Sequence, residues 1–409
     1  MTPSDVAVIG GGAVGATAAY DLARRGVCVT LFERGEIGGG SSGRAAGVLY
    51  DAFAEDVDAA IGRRSIERFR EFSGEEGFRF RGTPYVWLAR EGDRTRGEAI
   101  EAQVPRMRSH GVDVELLDTE ELAELAPTLR TADVEVAAVA RDAGRTDPKS
   151  YARLLARKAE REGATVWTGT AVSLGDGREG TIVADGERGT FDAVVVATGA
   201  HTKRLLEAAG HRIAMKPYRV QALTAVEPGV QRGSRTGDPL TAVDAIESDT
   251  RRGSDDDGRT SNGIRTPMVY DATAGIYLRP HSDGLLIGDG TEEVESDPDD
   301  WEREGDPEFV ESALERARER LTVEDLTVEE AWAGLCTATP DRNPLLGWLD
   351  EERGLYVATG WQGHGFMRSP AIGERIAREV CGGSGIEAFD PARFTGEEEF
   401  GIVEGMRVE

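Results

Sequence analysis

Val6-Ala7-Val8-Ile9, followed at once by Gly10-Gly11-Gly12-Ala13-Val14-Gly15, constrains the fold of this chain more than any other stretch. A continuous apolar run of this kind reads as a strand buried in a parallel sheet, and the alanine-rich residues after it read as a helix packed on that sheet. In such a turn Gly10 allows the tight reversal, Gly12 lets the backbone approach a pyrophosphate, and Gly15 lets helix and sheet pack closely. A second apolar run, Val27 to Phe32, ends at Glu33, whose carboxylate is placed to accept from ribose hydroxyls. Glycines alone would mark only a turn; strand, glycines, helix and acid in this order are the pattern of a dinucleotide-binding β-α-β unit.

A second unit of the same character lies near the C-terminus. Leu355 to Ala358 reads as an apolar strand, Gly360-Trp361-Gln362-Gly363-His364-Gly365 as a glycine turn, and Ser369-Pro370 as the opening of a helix with proline in its first turn. Backbone N–H groups and the positive end of a helix dipole then converge on one spot, which suits a site where negative charge develops. A flavin ring gains such charge on reduction.

Composition narrows the partners. The 409 residues allow about two or three domains. Seventy-five acids against 48 lysines and arginines leave a formal charge of −27, and only Lys149, Lys158, Lys203 and Lys216 are lysines. Acids spread along the whole chain with scarce lysine are expected of a protein that works in concentrated salt, where self-repulsion is screened; an acidic surface for a basic partner is the alternative. No basic stripe exists to neutralise phosphates, so nucleic acid is not an expected partner. No stretch is apolar for long enough to span a bilayer, and a cytoplasmic location is expected. Cys28, Cys336 and Cys381 are odd in number and far apart, and the five histidines lack ligand spacing, so neither a disulfide framework nor a metal is expected.

Along the chain, Arg34 to Gly47 reads as a glycine- and serine-rich loop bearing Arg44, and Val57 to Phe72 as an amphipathic helix. A helix with Asp147 at its N-cap and Pro148 in its first turn runs to about Gly163; strands follow at Ala164–Thr168 and Phe191–Ala197. These apolar strands suggest that a parallel-sheet unit resumes after an excursion. Gly229 to Arg265 is polar and aperiodic and reads as an acidic insertion. Gly275–Pro280 and Gly284–Gly288 form a strand pair turning at Ser282-Asp283, and a helix capped by Asp306 runs from Pro307 to Leu321.

Taken together, the fingerprint at Gly10–Gly15, the loop to Gly47, Val194–Gly199, Tyr277-Leu278-Arg279-Pro280, Trp332–Leu335, Thr339-Pro340-Asp341, Pro344–Gly347 and the C-terminal glycine-histidine turn resemble the D-amino acid oxidase superfamily of FAD-dependent oxidoreductases. The resemblance spans nearly the whole chain and is closest to the branch of the sarcosine oxidase beta-subunit and dimethylglycine dehydrogenase. It implies an α/β plus α+β fold, in which a Rossmann-like, glutathione-reductase-type FAD domain (1–80, 145–217 and 328–409) supports a substrate domain built on an antiparallel sheet (81–144 and 218–327, with the insertion at 229–265). Carried over by residue, Gly10, Gly12, Ala13, Val14 and Gly15 would cradle the pyrophosphate, and Glu33 and Arg34 would reach the adenosine. Ser41, Ser42, Arg44, Ala46 and Gly47 would follow the phosphate and flavin edge, Val172 would meet adenine, and Thr198 and Gly199 would lie beside it. Gly334, Gly360, Gln362, Gly363, His364, Gly365 and Phe366 would surround the flavin ring, with His364, Tyr277, Arg279 and Arg44 as the catalytic set.

The implied reaction removes a hydride equivalent from a carbon next to an amine nitrogen of a small amine or amino acid, giving an imine that water hydrolyses. Oxygen or an electron-accepting protein would then reoxidise the flavin, and the chain could form homo- or hetero-oligomers. Relatives acting on D-amino acids or glycine resemble Gly-Leu-Arg-Pro where this chain has Gly334-Leu335-Cys336-Thr337, and monomeric sarcosine oxidases resemble Gly-His-Gly-Phe-Lys where it has Met367. A carboxylate clamp would therefore have to come from Arg279, Arg219 or Arg44. Gly334 stands where some relatives carry a flavin-linking cysteine, so the FAD is expected to be non-covalent. A deaminating enzyme of D-amino acids or glycine, or a flavin-bearing subunit or assembly factor of a larger complex, are the alternatives.

Overall fold

The computed structural model describes residues 3–175, 180–227, 266–282, 284–288, 290–323, 325–350 and 354–403. The insertion expected at 229–265 lies outside these residues.

The apolar N-terminal run forms the strand Asp5–Ile9, in which Val6, Ala7 and Val8 are fully buried. It pairs in parallel with Cys28–Phe32 on one side and Ala193–Val196 on the other. The complete sheet has six strands in the order Leu345–Asp350, Leu355–Thr359, Ala193–Val196, Asp5–Ile9, Cys28–Phe32, Thr165–Trp167. Only the outer strand Leu345–Asp350 runs antiparallel to its neighbour. Chain segments from the start, middle and end thus meet in one sheet covered on both faces, which explains why its central strands are apolar on both faces.

A second sheet holds eight strands in the order Thr327–Ala338, Lys216–Val226, Gly284–Gly288, Ile276–His281, Met268–Asp271, Tyr85–Arg90, Val134–Ala140, Val114–Leu117. All its neighbours are antiparallel except Met268–Asp271 with Tyr85–Arg90. The segments proposed as 145–217 and 328–409 of the nucleotide unit each lend residues to this sheet, through Lys216–Val226 and Thr327–Ala338. One face carries Val86, Leu88, Val139, Leu223, Leu278 and Ile287 into a core shared with helix Pro307–Arg320; the other is turned toward the nucleotide unit.

Three local expectations are corrected. The last long helix opens at Gly365, with His364 as N-cap, so Pro370 sits inside it instead of starting it. Proline there removes one backbone donor, and the Ser369 hydroxyl compensates by donating to the Phe366 carbonyl at 2.7 Å. The loop expected from Arg34 to Gly47 contains a one-turn helix, Ser41–Arg44. Asp306 does precede helix Pro307–Arg320, but its carboxylate makes no cap because Arg219 and Gln221 hold it, at 2.7 and 3.0 Å. By contrast, Asp147 caps Pro148–Arg161 as expected, accepting from the Ser150 N–H at 3.0 Å.

All eleven residues of helix Ala13–Ala23 are buried, and that includes Asp21. Arg68, from helix Asp56–Phe72, grips its carboxylate through two bonds of 2.6 and 2.8 Å and also donates to the Pro370 carbonyl. Burial pushes the Asp21 carboxyl above its ordinary range against the pull of Arg68. Burial likewise opposes the charge on Arg68, but there Asp21 prevails and the guanidinium is held charged. The two-point fork is the geometry of an ion pair, so we take both groups as charged. Breaking such a pair from one side leaves a buried charge uncompensated. Arg68→Met is expected to lower unfolding free energy by about 3–5 kcal/mol, and the double change with Asp21→Asn to recover much of that loss; denaturant midpoints of the three variants measure it, and a double variant no better than the single one would contradict this account.

Candidate active site

A cavity of about 800 Å³ lies between the two sheets. Its floor is the nucleotide turn. A Cβ on Gly15 would stand 1.9 Å from the Gly10 carbonyl oxygen, so only glycine lets helix Ala13–Ala23 approach the turn this closely. A Cβ on Gly12 would meet only the Ser42 hydroxyl, at 3.1 Å; the space before it opens into the cavity, as a pyrophosphate against the helix N-terminus requires. Ser42 accepts from the Ala13 N–H at 2.9 Å. The Glu33 oxygens accept from the Gly11 and Gly35 N–H groups at 2.7 and 2.8 Å, and each keeps a lone pair for a ribose hydroxyl. These residues fit the diphosphate and ribose of FAD.

Of the residues expected at the site, Gly10, Gly12, Ala13, Val14, Glu33, Arg34, Ser41, Ser42, Arg44, Ala46, Gly47, Val172, Thr198, Gly199, Tyr277, Gly334, Gly363, His364, Gly365 and Phe366 line the cavity. Gly15, Arg279, Gly360 and Gln362 are not among its lining. Gly15 serves packing alone, and a Cβ on Gly360 would strike Thr339. Gln362 is turned away to the C-terminal segment, donating from Nε2 to the Val403 carbonyl and from its backbone to Thr337. Arg279 donates from Nε to the Ala46 carbonyl and from Nη1 to that of Pro280, so its buried guanidinium braces the loop behind the cavity wall. Burial and then Arg145 lower its pKa to about 10.

The roof is the cavity face of the eight-stranded sheet. Strand register sets Tyr218 opposite Cys336, Val220 opposite Gly334 and Ala222 opposite Trp332, and all six line the cavity. Period-2 alternation explains this set, since Arg219 and Leu223 fall on the other face. Arg219 there meets Glu292 and Asp306 and the carbonyls of Glu302 and Glu304.

At the mouth of helix Gly365–Val380, the His364 ring is fixed by aromatic neighbours. Its Nε2 lies 3.0 Å from the Tyr50 hydroxyl, Phe53 meets it edge-on at 5.7 Å, and Tyr50 in turn stacks on Tyr85 at 4.5 Å. Burial, aided by Arg368, lowers the His364 pKa to about 3. The imidazole is therefore neutral at any ordinary pH. It can donate or accept a hydrogen bond but offers no cation.

Sequence reading missed Tyr50, Tyr85, Tyr218, Trp301 and Arg303, and it took Trp332 only as part of a motif without a place at the site. Tyr218 and Trp332 are recoverable from strand alternation once the register is known, whereas Trp301 and Arg303 lie in an aperiodic crossing between Gly290 and Asp306 that carries no local signal. Among the described residues no group of three or more His, Cys, Asp or Glu could hold a metal ion, and no helix is long and apolar enough to cross a membrane. The cradle yields one direct expectation. Gly12→Val is expected to lower FAD affinity at least about 100-fold, by filling the pyrophosphate space, with the unfolding midpoint of the apoprotein little changed; FAD titration by fluorescence quenching measures the first, and unchanged affinity would remove Gly12 from the cofactor site.

The profile described as "FAD dependent oxidoreductase" (DAO) matches residues 5–379 of the chain. Glycine oxidase of Bacillus licheniformis is 26% identical over 408 residues, covering 95% of this chain and 97% of that protein. Sarcosine oxidase subunit beta of an Arthrobacter species is 26% identical over 393 residues, covering 92% and 87%. Among solved structures, L-proline dehydrogenase from P. horikoshii matches with a TM-score of 0.80 at 27% identity, covering 95% and 97% of the two chains. With its family profile, its fold and a cradle shaped for the cofactor in agreement, the chain belongs to the DAO family of FAD-dependent oxidoreductases and is an FAD-dependent enzyme.

Proposed function

We propose that the enzyme oxidises a C–N bond of a small secondary or tertiary amine or N-substituted amino acid, of the sarcosine, dimethylglycine or proline kind. The observation that carries this reading is the pairing, in one cavity, of the dinucleotide cradle with an aromatic and apolar chamber whose buried imidazole stays neutral. FAD, when bound, supplies the two-electron acceptor for a hydride from the carbon next to nitrogen. The protein's part is to hold that carbon in place and to receive the amine unprotonated. Tyr218, Val220, Ala222 and Cys336 form the chamber's roof, and His364 presents a neutral hydrogen-bonding ring at its side. The N-terminus of helix Gly365–Val380 adds positive potential where negative charge would grow.

The relatives support this class without choosing within it, since one is named for glycine, one for sarcosine and one for L-proline. Cys336 and Met367 line the cavity and neither offers a carboxylate a charge; the apolar wall they give it suits an N-alkyl group, which favours N-alkylated substrates over D-amino acids or glycine. The likeness to a subunit named beta also supports a second reading, a flavin-bearing partner in a larger assembly with oxygen or another protein as electron acceptor.

Anaerobic bleaching of the flavin absorbance by sarcosine, dimethylglycine and L-proline, with glycine and D-alanine bleaching more slowly, is the expected result. Admission of air then separates oxidase from dehydrogenase by the speed of recolouring. Flavin-loaded protein bleached by none of the five would sink the small-amine reading. Because His364 does not titrate near neutrality, kcat/KM should rise about tenfold per pH unit up to the amine's own pKa. That limb should move when the substrate is exchanged for an amine of lower pKa. A limb that stays fixed across substrates would instead belong to a protein group and contradict the neutral-imidazole account.

A further inference from the structure

Among the described residues, the His364 ring is hydrogen-bonded through only one of its two nitrogens. Nε2 lies 3.0 Å from the Tyr50 hydroxyl, and no other described residue forms a hydrogen bond with the ring. Although His364 is the N-cap of helix Gly365–Val380, its side chain makes no cap bond. The residue is 7% exposed and lines the cavity, and Nδ1 is not among the fully buried polar atoms that lack a partner. Nδ1 therefore keeps some exposure, and the space it meets is the cavity.

The partner on the other side is closely held. Tyr50 is buried, stacks on Tyr85 at 4.5 Å with the ring planes 6° apart, and meets Phe53 at 5.3 Å. Phe53 in turn stands edge-on to the imidazole, and the Arg368 guanidinium, paired with Asp58 at 3.0 Å, lies 4.9 Å from the Phe53 ring centre. Phenol and imidazole thus cannot turn away from each other independently.

A neutral imidazole has one N–H and one bare nitrogen, and the bond made by one nitrogen decides the form of the other. Burial keeps this ring neutral. Two arrangements then satisfy the contact with Tyr50: Nε2–H donates to the phenol oxygen and Nδ1 is bare, or the phenol donates to Nε2 and Nδ1 carries the proton. The phenol O–H is the more acidic donor, and the bare imidazole nitrogen is the more basic acceptor, because the phenol oxygen shares its lone pair with its own ring. Acid and base strength therefore both favour the second arrangement.

We propose that Tyr50 is a positioning residue, whose hydroxyl donates to Nε2 of His364 and so fixes the ring in the form that offers an Nδ1–H donor to the cavity. Only its effect on turnover rests on the amine-oxidising reading above. The donor stands at the start of helix Gly365–Val380, beside the backbone N–H groups of the first turn, and like them it favours the site once a ring bound there has gained negative charge.

Long-range proton–nitrogen NMR correlation on protein labelled at its histidines reads the tautomer directly, with and without FAD. The chain has five histidines, and the signal lost in His364→Asn identifies this one. Wild-type protein is expected to show a bare Nε2 and a protonated Nδ1, with the Nδ1–H resonance displaced when FAD is added. Tyr50→Phe keeps the stacked ring and removes only the hydroxyl. It should shift the balance toward the Nε2–H form about 3- to 10-fold and lower kcat by a similar factor, with KM little changed. In His364→Asn an amide N–H can stand near the place of Nδ1 whatever Tyr50 does, so adding Tyr50→Phe should cost kcat nothing further. A wild-type ring protonated at Nε2 overturns the proposal; so does an unchanged tautomer balance in Tyr50→Phe, or a fall in kcat of the same size when Tyr50→Phe is added to His364→Asn. Protein that oxidises no amine but holds a protonated Nδ1 only while Tyr50 is present would uphold the positioning role and refute the amine reading, so the two can fail separately.

Discussion

Complete burial of helix Ala13–Ala23 is the constraint on which the site depends. Its first turn is pressed onto the Gly10 carbonyl, and its flanks are covered by helices Pro148–Arg161 and Gly365–Val380. The close fit to the last helix requires Gly373, where a Cβ would stand 2.3 Å from Thr17. Sequence-distant segments therefore cannot shift independently: what fixes the cradle also fixes the glycine-histidine turn that begins the last helix. In a close-packed interior such contacts transmit position over the length of a helix. The Arg68 fork on Asp21 and Pro370 joins a third helix to the same block.

Electrostatics then distinguish the cavity from the rest of the molecule. Elsewhere, arginine is spent on neutralising acids, as in the buried pairing of Asp271 with Arg90 and Arg320, or Arg64 with Glu374. Exposed pairs of this sort contribute little stability each, and salt screens them further. Inside the cavity the balance changes sign. Glu33 is tied to backbone amides, Asp299 to Arg34 and Arg204, and Glu36 to Lys149 and Arg153. What is left to face an incoming ligand is helix N-termini, a neutral imidazole, and Arg44 and Arg303, which pair with no carboxylate among the described residues.

Legibility in the sequence followed the range of the interaction. The nucleotide turn was readable because its requirements are local: a sharp reversal, a missing side chain before the phosphate, an acid at the end of the next strand. Five strands of the six-stranded sheet were readable from apolar runs for the same reason, whereas of the second sheet only the pair Ile276–His281 and Gly284–Gly288 was. Pro370 misled because a proline in an apolar helical stretch ordinarily marks the first turn, and only a tertiary view shows Ser369 satisfying the carbonyl that proline abandons. Asp306 misled because an acid before a proline reads as a cap, whereas Arg219, 87 residues away in sequence, holds its carboxylate. Arg279 stood in a promising motif but faces the Ala46 carbonyl. Tyr50, Trp301 and Arg303 left no trace at all, since each acquires its role only through a partner brought in by the fold.

In the reaction proposed above, the burial of His364 answers one need of the chemistry. The hydride must leave a carbon whose nitrogen has a free lone pair, and an imidazolium beside that nitrogen would disfavour the positive charge that develops as the hydride departs. Burial keeps the ring neutral and so removes that penalty. The fold builds that environment at the mouth of the last helix, between Tyr50 and Phe53. On that reading a neutral ring at the reacting end bears on the transition state more than on the bound substrate, and so on kcat more than on KM.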